Sequence, residues 1–206
     1  MTTSNLAQSY IGFLYPQINN ETYRTDILTQ IVNRLDWMIT RHNKVLAIRF
    51  DVRFPSGYVH NGNNVEISNL LRRLREDLEW NGIEVQYAWV REQVNSPVPH
   101  YHVAMFVDGS KIQNPMGILQ EADRIWQHTI NCVGAGLVDF CCHDGGVGHV
   151  MIRRPSSALQ GAELEMEQRQ FREGYDDAVR RVMYLAKTFS KGNTPHRVRE
   201  FGCSQM

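Results

Sequence analysis

The sequence has little cysteine, no long apolar run and no excess of either charge, and each of these absences excludes a class of protein. Its four cysteines show no Cys-x-x-Cys spacing, so we expect free thiols in a cytosolic protein rather than a disulfide framework. No segment approaches the ~18 consecutive apolar residues that a membrane span requires. Because the first basic residue is Arg24, the N-terminus lacks the basic start of a signal peptide.

The composition is that of a folded globular chain. Apolar residues make up 42% of the 206 residues and charged residues 21%, which excludes a disordered protein. This length suits one domain of ordinary size, and no repeat or linker divides it. We therefore expect a single domain over 1–206, with an extension and a helix over 1–42 followed by the core over 43–206.

The charges are unevenly distributed along the chain. Residues 151–199 contain 10 Lys and Arg against 6 Asp and Glu, whereas residues 1–150 contain 12 against 15. A local basic patch of this kind can bind nucleic acid even when the net charge is zero. An ordinary solvated helix face explains the same excess, and charge alone does not separate the two interpretations.

The apolar periodicity predicts an α+β fold. Strands are predicted over Val45–Phe54, Ile83–Arg91, His100–Asp108, Leu137–Cys142 and His149–Arg153, and helices over 21–42, from Asn64 to Gly82, from Asn114 to Asn131, and from about Glu163 to Lys191. From the first strand the order is β-α-β-β-α-β, which is typical of a ferredoxin-like (RRM-like) antiparallel sheet. We expect helices on one face of this sheet, the other face being partly open, and a C-terminal helix that carries Tyr184.

Two histidines one residue apart suggest a metal site. His100 and His102 lie in a predicted strand, so both imidazoles project from the same face. If residues 93–99 close a hairpin, Glu92 faces His100 across it. Two imidazoles and one carboxylate leave coordination positions open for a phosphate oxygen. A register slip of one residue would place Gln93 there instead, and the sequence leaves this choice open.

The identity of the ion follows from the ligand types only in part. Nitrogen and oxygen ligands with an oxygen-rich substrate suit Mn²⁺ or Mg²⁺, although affinity alone favours Zn²⁺. An isolated His-x-His is equally compatible with two ordinary strand histidines. Arg49 and Arg53 flank Asp51 on the first strand, on the same predicted face. We predict that both arginines contact DNA, the alternative being a salt-bridged or solvated sheet surface.

A tyrosine surrounded by basic residues follows in the last predicted helix. Tyr184 is off the apolar stripe and lies at helical spacing from Arg180, Lys187 and Lys191. Nearby cations favour the phenolate of a side chain whose ordinary pKa is ~10. We predict Tyr184 as a nucleophile assisted by Lys187, with Arg180 and Lys191 as DNA contacts. The alternative is a boundary tyrosine with a solvent-facing hydroxyl.

These residues together resemble the HUH endonucleases, which are replication initiators and relaxases that cut single-stranded DNA. The two signature elements stand here as His100-Tyr101-His102 and Tyr184-Leu185-Ala186-Lys187. The spacing of Glu92 is similar to that of the third ligand in small viral initiators, and Val45-Leu-Ala-Ile-Arg-Phe-Asp is similar to the first-strand motif. The whole chain, including the ending Arg-Glu-Phe-Gly-Cys-Ser, resembles the inovirus-type replication-associated proteins of filamentous phages and prophages.

The resemblance implies a single-tyrosine nickase. Tyr184 would attack a phosphate at a hairpin or single-stranded origin, form a 5′-phosphotyrosine and release a 3′-hydroxyl that primes rolling-circle replication. Strand transfer to a returning 3′-hydroxyl reverses the step. The chain contains no GxxxxGK[ST] motif, so a host helicase in the bacterial cytoplasm would be the partner that unwinds DNA.

Three other interpretations explain parts of the pattern. A two-histidine, one-carboxylate iron oxygenase would use the same ligands but gives Tyr184 no role. A non-catalytic single-strand-binding module on the same sheet would bind DNA without a metal. A zinc site would draw on residues near the glycine turn, although adjacent strand cysteines point to opposite faces; its candidates are Cys141, Cys142, His143 and His149.

Overall fold

A computed structural model describes residues 23–94, 96–142, 148–188 and 194–206. The helices in this part of the chain are α1 (Thr25–Arg41), α2 (Val65–Trp80), α3 (Met116–Thr129) and α4 (Gly161–Met183). The strands are β1 (Lys44–Val52), β2 (Val85–Glu92), β3 (His100–Asp108), β4 (Val138–Asp139), β5 (His149–Arg153) and β6 (Phe201–Cys203).

The strands form one antiparallel sheet in the order β4-β1-β3-β2-β6, and β5 pairs with β1 on the same side as β4. The central hairpin and both helical crossovers follow the predicted β-α-β-β-α-β order. The predicted α+β, ferredoxin-like arrangement is therefore confirmed.

The distribution of helices differs from the prediction, because both faces of the sheet are covered. Helices α2 and α3 pack on one face, while α1 and α4 pack on the other, which we had expected to be partly open. The reason lies in the strands themselves. Phe106 on β3 faces α1 and α4, its neighbours Met105 and Val107 face α2 and α3, and all three are buried. Strands that are apolar on both faces need a helical layer on each.

The last helix is shorter than predicted. It ends at Met183, and Tyr184–Ala186 form a 3₁₀ turn that is followed by a β-bridge between Lys187 and Tyr23. The chain leaves the α-helix where Leu185 and Ala186 become fully buried and the Ala186 carbonyl accepts a 2.8 Å hydrogen bond from the Arg24 amide. The remainder of the predicted helix, from 189 to 191, lies outside the described residues.

The short edge strand β6 has no counterpart in the predictions. It pairs with β2, and Gly202 lies so close to Trp89 that an added Cβ would fall 2.7 Å from the indole ring. Only glycine fits this position without displacing Trp89. A three-residue strand that depends on such a contact leaves little signal in the sequence.

The same described ranges contain no helix that is both long and apolar enough to cross a membrane.

Candidate metal centre

Glu92, His100 and His102 meet at the end of the β2–β3 hairpin. Glu92 lies directly opposite His100 in the strand register, as predicted, and one ligand atom from each of the three residues lies within 4.8 Å of the others. The His100 Nε2 atom is 3.0 Å from His102 Nε2 and 3.2 Å from Glu92 Oε2, and His102 Nε2 contacts the same carboxylate oxygen. The register thus excludes Gln93, whose side-chain oxygen accepts from Arg91.

A second carboxylate orients the more deeply buried histidine. Asp51 lies opposite His102 in the β1–β3 register, and its Oδ1 atom is 2.7 Å from His102 Nδ1. Because an ionised carboxylate only accepts hydrogen bonds, Nδ1 carries the proton that faces Asp51, and Nε2, which faces His100 and Glu92, is the nitrogen left to bind an ion. A carboxylate behind a histidine is the usual outer partner in metal sites.

The charges around His102 fit a cation. Burial lowers the pKa of His102, but its hydrogen bonds to Asp51 and Glu92 outweigh this effect, so the pKa is raised. Burial raises the pKa of Asp51, but its contacts with His102 and Arg49 outweigh burial, so the pKa of Asp51 is lowered overall. Two carboxylates and converging imidazole nitrogens thus favour positive charge, which a divalent ion would supply. The donor set suits a divalent ion and does not select which one.

Tyr184 reaches this cluster from the helical layer on the same face of the sheet. The 3₁₀ turn after α4 brings its ring within 5.1 Å of the His102 ring, centroid to centroid, with the ring planes 80° apart. The Arg49 guanidinium carbon lies 3.9 Å from the Tyr184 ring centroid, and Lys187 Nζ lies 4.9 Å from it. The structure therefore brings Tyr184, Lys187 and Arg49 together with the three candidate ligands.

The sequence predicts Arg49 as a DNA contact and Asp51 only as a residue on the same strand face. The structure places Arg49 between Tyr184 and Asp51, with a guanidinium nitrogen 3.6 Å from the carboxylate. The Arg49 Nε atom is buried and has no hydrogen-bond partner among the described residues. Strand alternation places residues 49 and 51 on one face of β1, and this was the only signal in the sequence. Alternation does not reveal that β1 lies beside β3, and this pairing is what brings both residues to the ligands.

The other predicted DNA contacts that the structure describes pair with acids other than the candidate ligands. Arg53 forms an ion pair of 3.1 Å with Asp139, and Arg180 is exposed, 3.8 Å from Asp177. Lys191 lies outside the described residues.

The alternative zinc site does not form among the residues that can be assessed. Within the described ranges, Glu92, His100 and His102 are the one group with metal-ligand geometry. His143 lies outside those ranges. Cys141 lies beside Asp51, and burial together with that carboxylate raises the pKa of its thiol to about 12, which opposes the thiolate that zinc requires.

The fold and the site define an α+β protein whose antiparallel sheet carries a candidate two-histidine, one-carboxylate centre beside a tyrosine. The chain belongs to the YagK/YfjJ C-terminal domain family, whose model matches residues 14–204. Comparison with curated proteins and with solved structures gave no match.

Proposed function

We propose that this protein is a metal-dependent endonuclease of the HUH type that nicks and rejoins single-stranded DNA through Tyr184. The observation that carries the proposal is the 5.1 Å separation of the Tyr184 and His102 rings. These residues come from distant parts of the chain, and a merely structural tyrosine has no reason to meet a converging set of metal-type ligands. The likeness to inovirus-type replication proteins supports rolling-circle replication as the process served.

Glu92, His100 and His102 would hold the ion, and Asp51 would keep His102 in the correct tautomer. A bound Mn²⁺ or Mg²⁺ supplies Lewis-acid stabilisation for the negative charge that develops on the scissile phosphate. His100 is the most accessible of the three side chains, at 37% exposed, whereas His102 is buried. Substrate would therefore approach from the His100 side.

Tyr184 supplies the nucleophile. Its phenolic oxygen attacks phosphorus, a Tyr–O–P bond forms and the bond from phosphorus to the 3′ oxygen breaks. The proton lost by the phenol balances the proton gained by the released 3′-hydroxyl. Strand transfer is the same exchange in reverse, since an incoming 3′-hydroxyl displaces the tyrosine.

Arg49 and Lys187 assist this exchange through their charges. Arg49 and Lys187 both lie over the phenol ring, so two cations are near the aromatic system that becomes negative. Both cations also attract the phosphate, whose charge increases in the transition state. Arg49 fixes the ring as well, because a guanidinium stacked between Asp51 and Tyr184 limits its rotation.

The proposed setting is the cytoplasm of a bacterial host, with single-stranded origin DNA as substrate and a host helicase as partner. The four cysteines are free thiols, which agrees with a reducing compartment.

The test is formation of a covalent protein–DNA adduct. The protein is incubated with the single-stranded origin of its own replicon, with Mn²⁺ or with EDTA, and the products are separated under denaturing conditions. We expect an adduct with Mn²⁺ that is lost in EDTA and in Tyr184→Phe. Tyr175→Phe is the matched control, since Tyr175 lies on α4 with its hydroxyl 2.8 Å from Asp36, a partner outside the ligand cluster.

Two outcomes would contradict the proposal. An adduct that persists in Tyr184→Phe would assign the nucleophile to another residue. Tight DNA binding that is independent of metal and gives no adduct would favour the non-catalytic single-strand-binding module instead.

A further inference from the structure

A basic cleft lies at the opposite end of the sheet from the candidate metal centre. It has a volume of about 680 Å³, and its charged lining residues are Lys44, Arg153, Arg154 and Glu167, an excess of two positive charges. Ser156 and Ser157 add hydroxyl groups to the lining. This cleft, defined by these six residues, is separate from every residue assigned a role above.

Two of the cations are held side by side by the strand register. Lys44 on β1 is directly opposite Arg153 on β5, so their side chains project from the same face. Like charges at directly opposed positions destabilise a sheet, and their Cβ atoms are typically ~5 Å apart. Among the described residues, neither side chain forms an ion pair with an acid. An arrangement that costs stability in the unbound protein is explained if an anion binds between the two.

The third cation is fixed in place by neutral partners. Arg154 donates to the Thr40 carbonyl at 3.1 Å and to the Asn43 side-chain oxygen at 2.6 Å. Neither partner neutralises the guanidinium, so its charge remains available while its position is already set. The single acid of the cleft, Glu167, accepts a 2.9 Å hydrogen bond from the Ser156 amide, which orders the cleft wall.

Two independent paths give the distance from the cleft to the metal centre. Lys44 and Asp51 are separated by seven residues of β1, which corresponds to about 23 Å. Glu167 and Tyr184 are joined by α4, and its rise of about 1.5 Å per residue gives roughly 25 Å. Because Lys44 and Asp51 project from opposite faces of β1, a DNA strand that follows the surface needs at least about seven stacked nucleotides, at roughly 3.4 Å each, to reach both sites.

We propose that this cleft is a second binding site for the phosphodiester backbone, which holds the DNA at least about seven nucleotides from the position where it is cut. The inference rests on the proposed function for the identity of the polymer. A polynucleotide matches the cleft because it is a chain of anions long enough to reach both ends of the sheet. The cleft would position the strand and contribute affinity without reading its sequence.

The experiment measures binding alone, in EDTA, so that it does not depend on cleavage. The probe is fluorescein-labelled dT30, followed by anisotropy over a range of salt concentrations. The test variant is Lys44→Gln/Arg153→Gln. The matched control is Arg72→Gln/Arg75→Gln, which removes the same charge from α2, outside the cleft, where both arginines pair with glutamates.

We expect the cleft variant to bind dT30 at least tenfold more weakly at low salt, with the slope of log K against log[salt] reduced by about 1.4, the value for two phosphate contacts on a single strand. The control should keep the wild-type slope. Because a like-charge pair is removed, the cleft variant should unfold at the wild-type temperature or above, which separates lost binding from lost folding.

Equal losses in both variants would show that only net charge matters and would overturn the proposal, as would an unchanged slope in the cleft variant. A thermal-shift titration with inorganic phosphate distinguishes a small ion from a polymer. Stabilisation by phosphate in the wild type alone, with dT30 binding unaffected by the substitutions, would assign the cleft to free phosphate. Adduct formation with origin DNA is scored separately, so failure of the nickase proposal and failure of the cleft are different results.

Discussion

Replacing Asp51 with Asn tests whether the carboxylate behind His102 organises the metal centre. In the native structure Asp51 Oδ1 lies 2.7 Å from Nδ1 of the buried His102 and accepts its proton in a hydrogen bond. This interaction leaves Nε2 free to bind an ion at the candidate position. An asparagine of nearly the same shape can present its NH₂ group to the ring, which favours the opposite tautomer. It also removes one of the two negative charges in contact with His102.

The magnitude follows from the role of such outer carboxylates. Loss of one typically reduces metal affinity 10- to 100-fold, which is about 1.4 to 2.7 kcal/mol. We expect the Kd for Mn²⁺, measured by isothermal titration calorimetry, to rise by that factor in Asp51→Asn. Adduct formation should recover substantially at saturating Mn²⁺, because the three ligands themselves are unchanged.

Asp139→Asn provides the matched control. Asp139 lies opposite Asp51 in the β1–β4 register and pairs with Arg53. Its replacement should leave the Mn²⁺ affinity within about twofold of wild type, since the charge removed does not contact a ligand. Wild-type Mn²⁺ affinity in Asp51→Asn, or equal losses in both variants, would refute the assignment of Asp51 as the residue that orients His102.

Three further predictions concern other parts of the structure. Arg49→Ala should slow adduct formation about 10- to 100-fold in single-turnover assays at saturating DNA and Mn²⁺, with Arg49→Lys intermediate, and an unchanged rate would separate Arg49 from the action of Tyr184. Burial raises the pKa of Asp36 to about 6 from 3.8, so its protonated form stabilises the fold at low pH and this contribution is lost as pH rises from about 4 to 6. Asp36→Asn should thus be more stable than wild type by about 1 to 2 kcal/mol at pH 7.5 in urea denaturation, with the advantage absent at pH 3.5, and a constant difference across this range would contradict the assignment. Gly202→Ala should lower the free energy of unfolding by about 1 to 3 kcal/mol, because the added Cβ overlaps an indole ring. Gly117→Ala, in open space on α3, should raise it by up to about 1 kcal/mol. Equal effects of the two substitutions would contradict the packing argument.

The hairpin end of the site was predictable because it depends on local sequence. A seven-residue connection between two strands fixes which residues face each other, and Glu92 indeed pairs with His100. The contribution of Asp51 was not predictable in the same way. It requires β1 to lie beside β3, a pairing across about fifty residues that local periodicity does not encode.

The position of the tyrosine shows a second limit of sequence reasoning. The resemblance, and not the periodicity, suggested that Tyr184 acts with the histidines. Helical spacing predicted a continuous helix through this region, whereas the chain tightens into a 3₁₀ turn after Met183. The turn depends on burial of Leu185 and on a hydrogen bond from Arg24, and both are tertiary contacts that an apolar stripe does not reveal.

The packing on either side of Tyr184 has a consequence for the fate of a cut strand. Met183 and Leu185 are both buried in the core, so the backbone between them has little freedom to move, and Arg49 stacked on the ring restrains the phenol as well. A DNA end tethered to that oxygen would stay beside the ion throughout the lifetime of the covalent state. If Tyr184 acts as proposed, such confinement would favour resealing and would hold the broken end until a new 3′ terminus arrives.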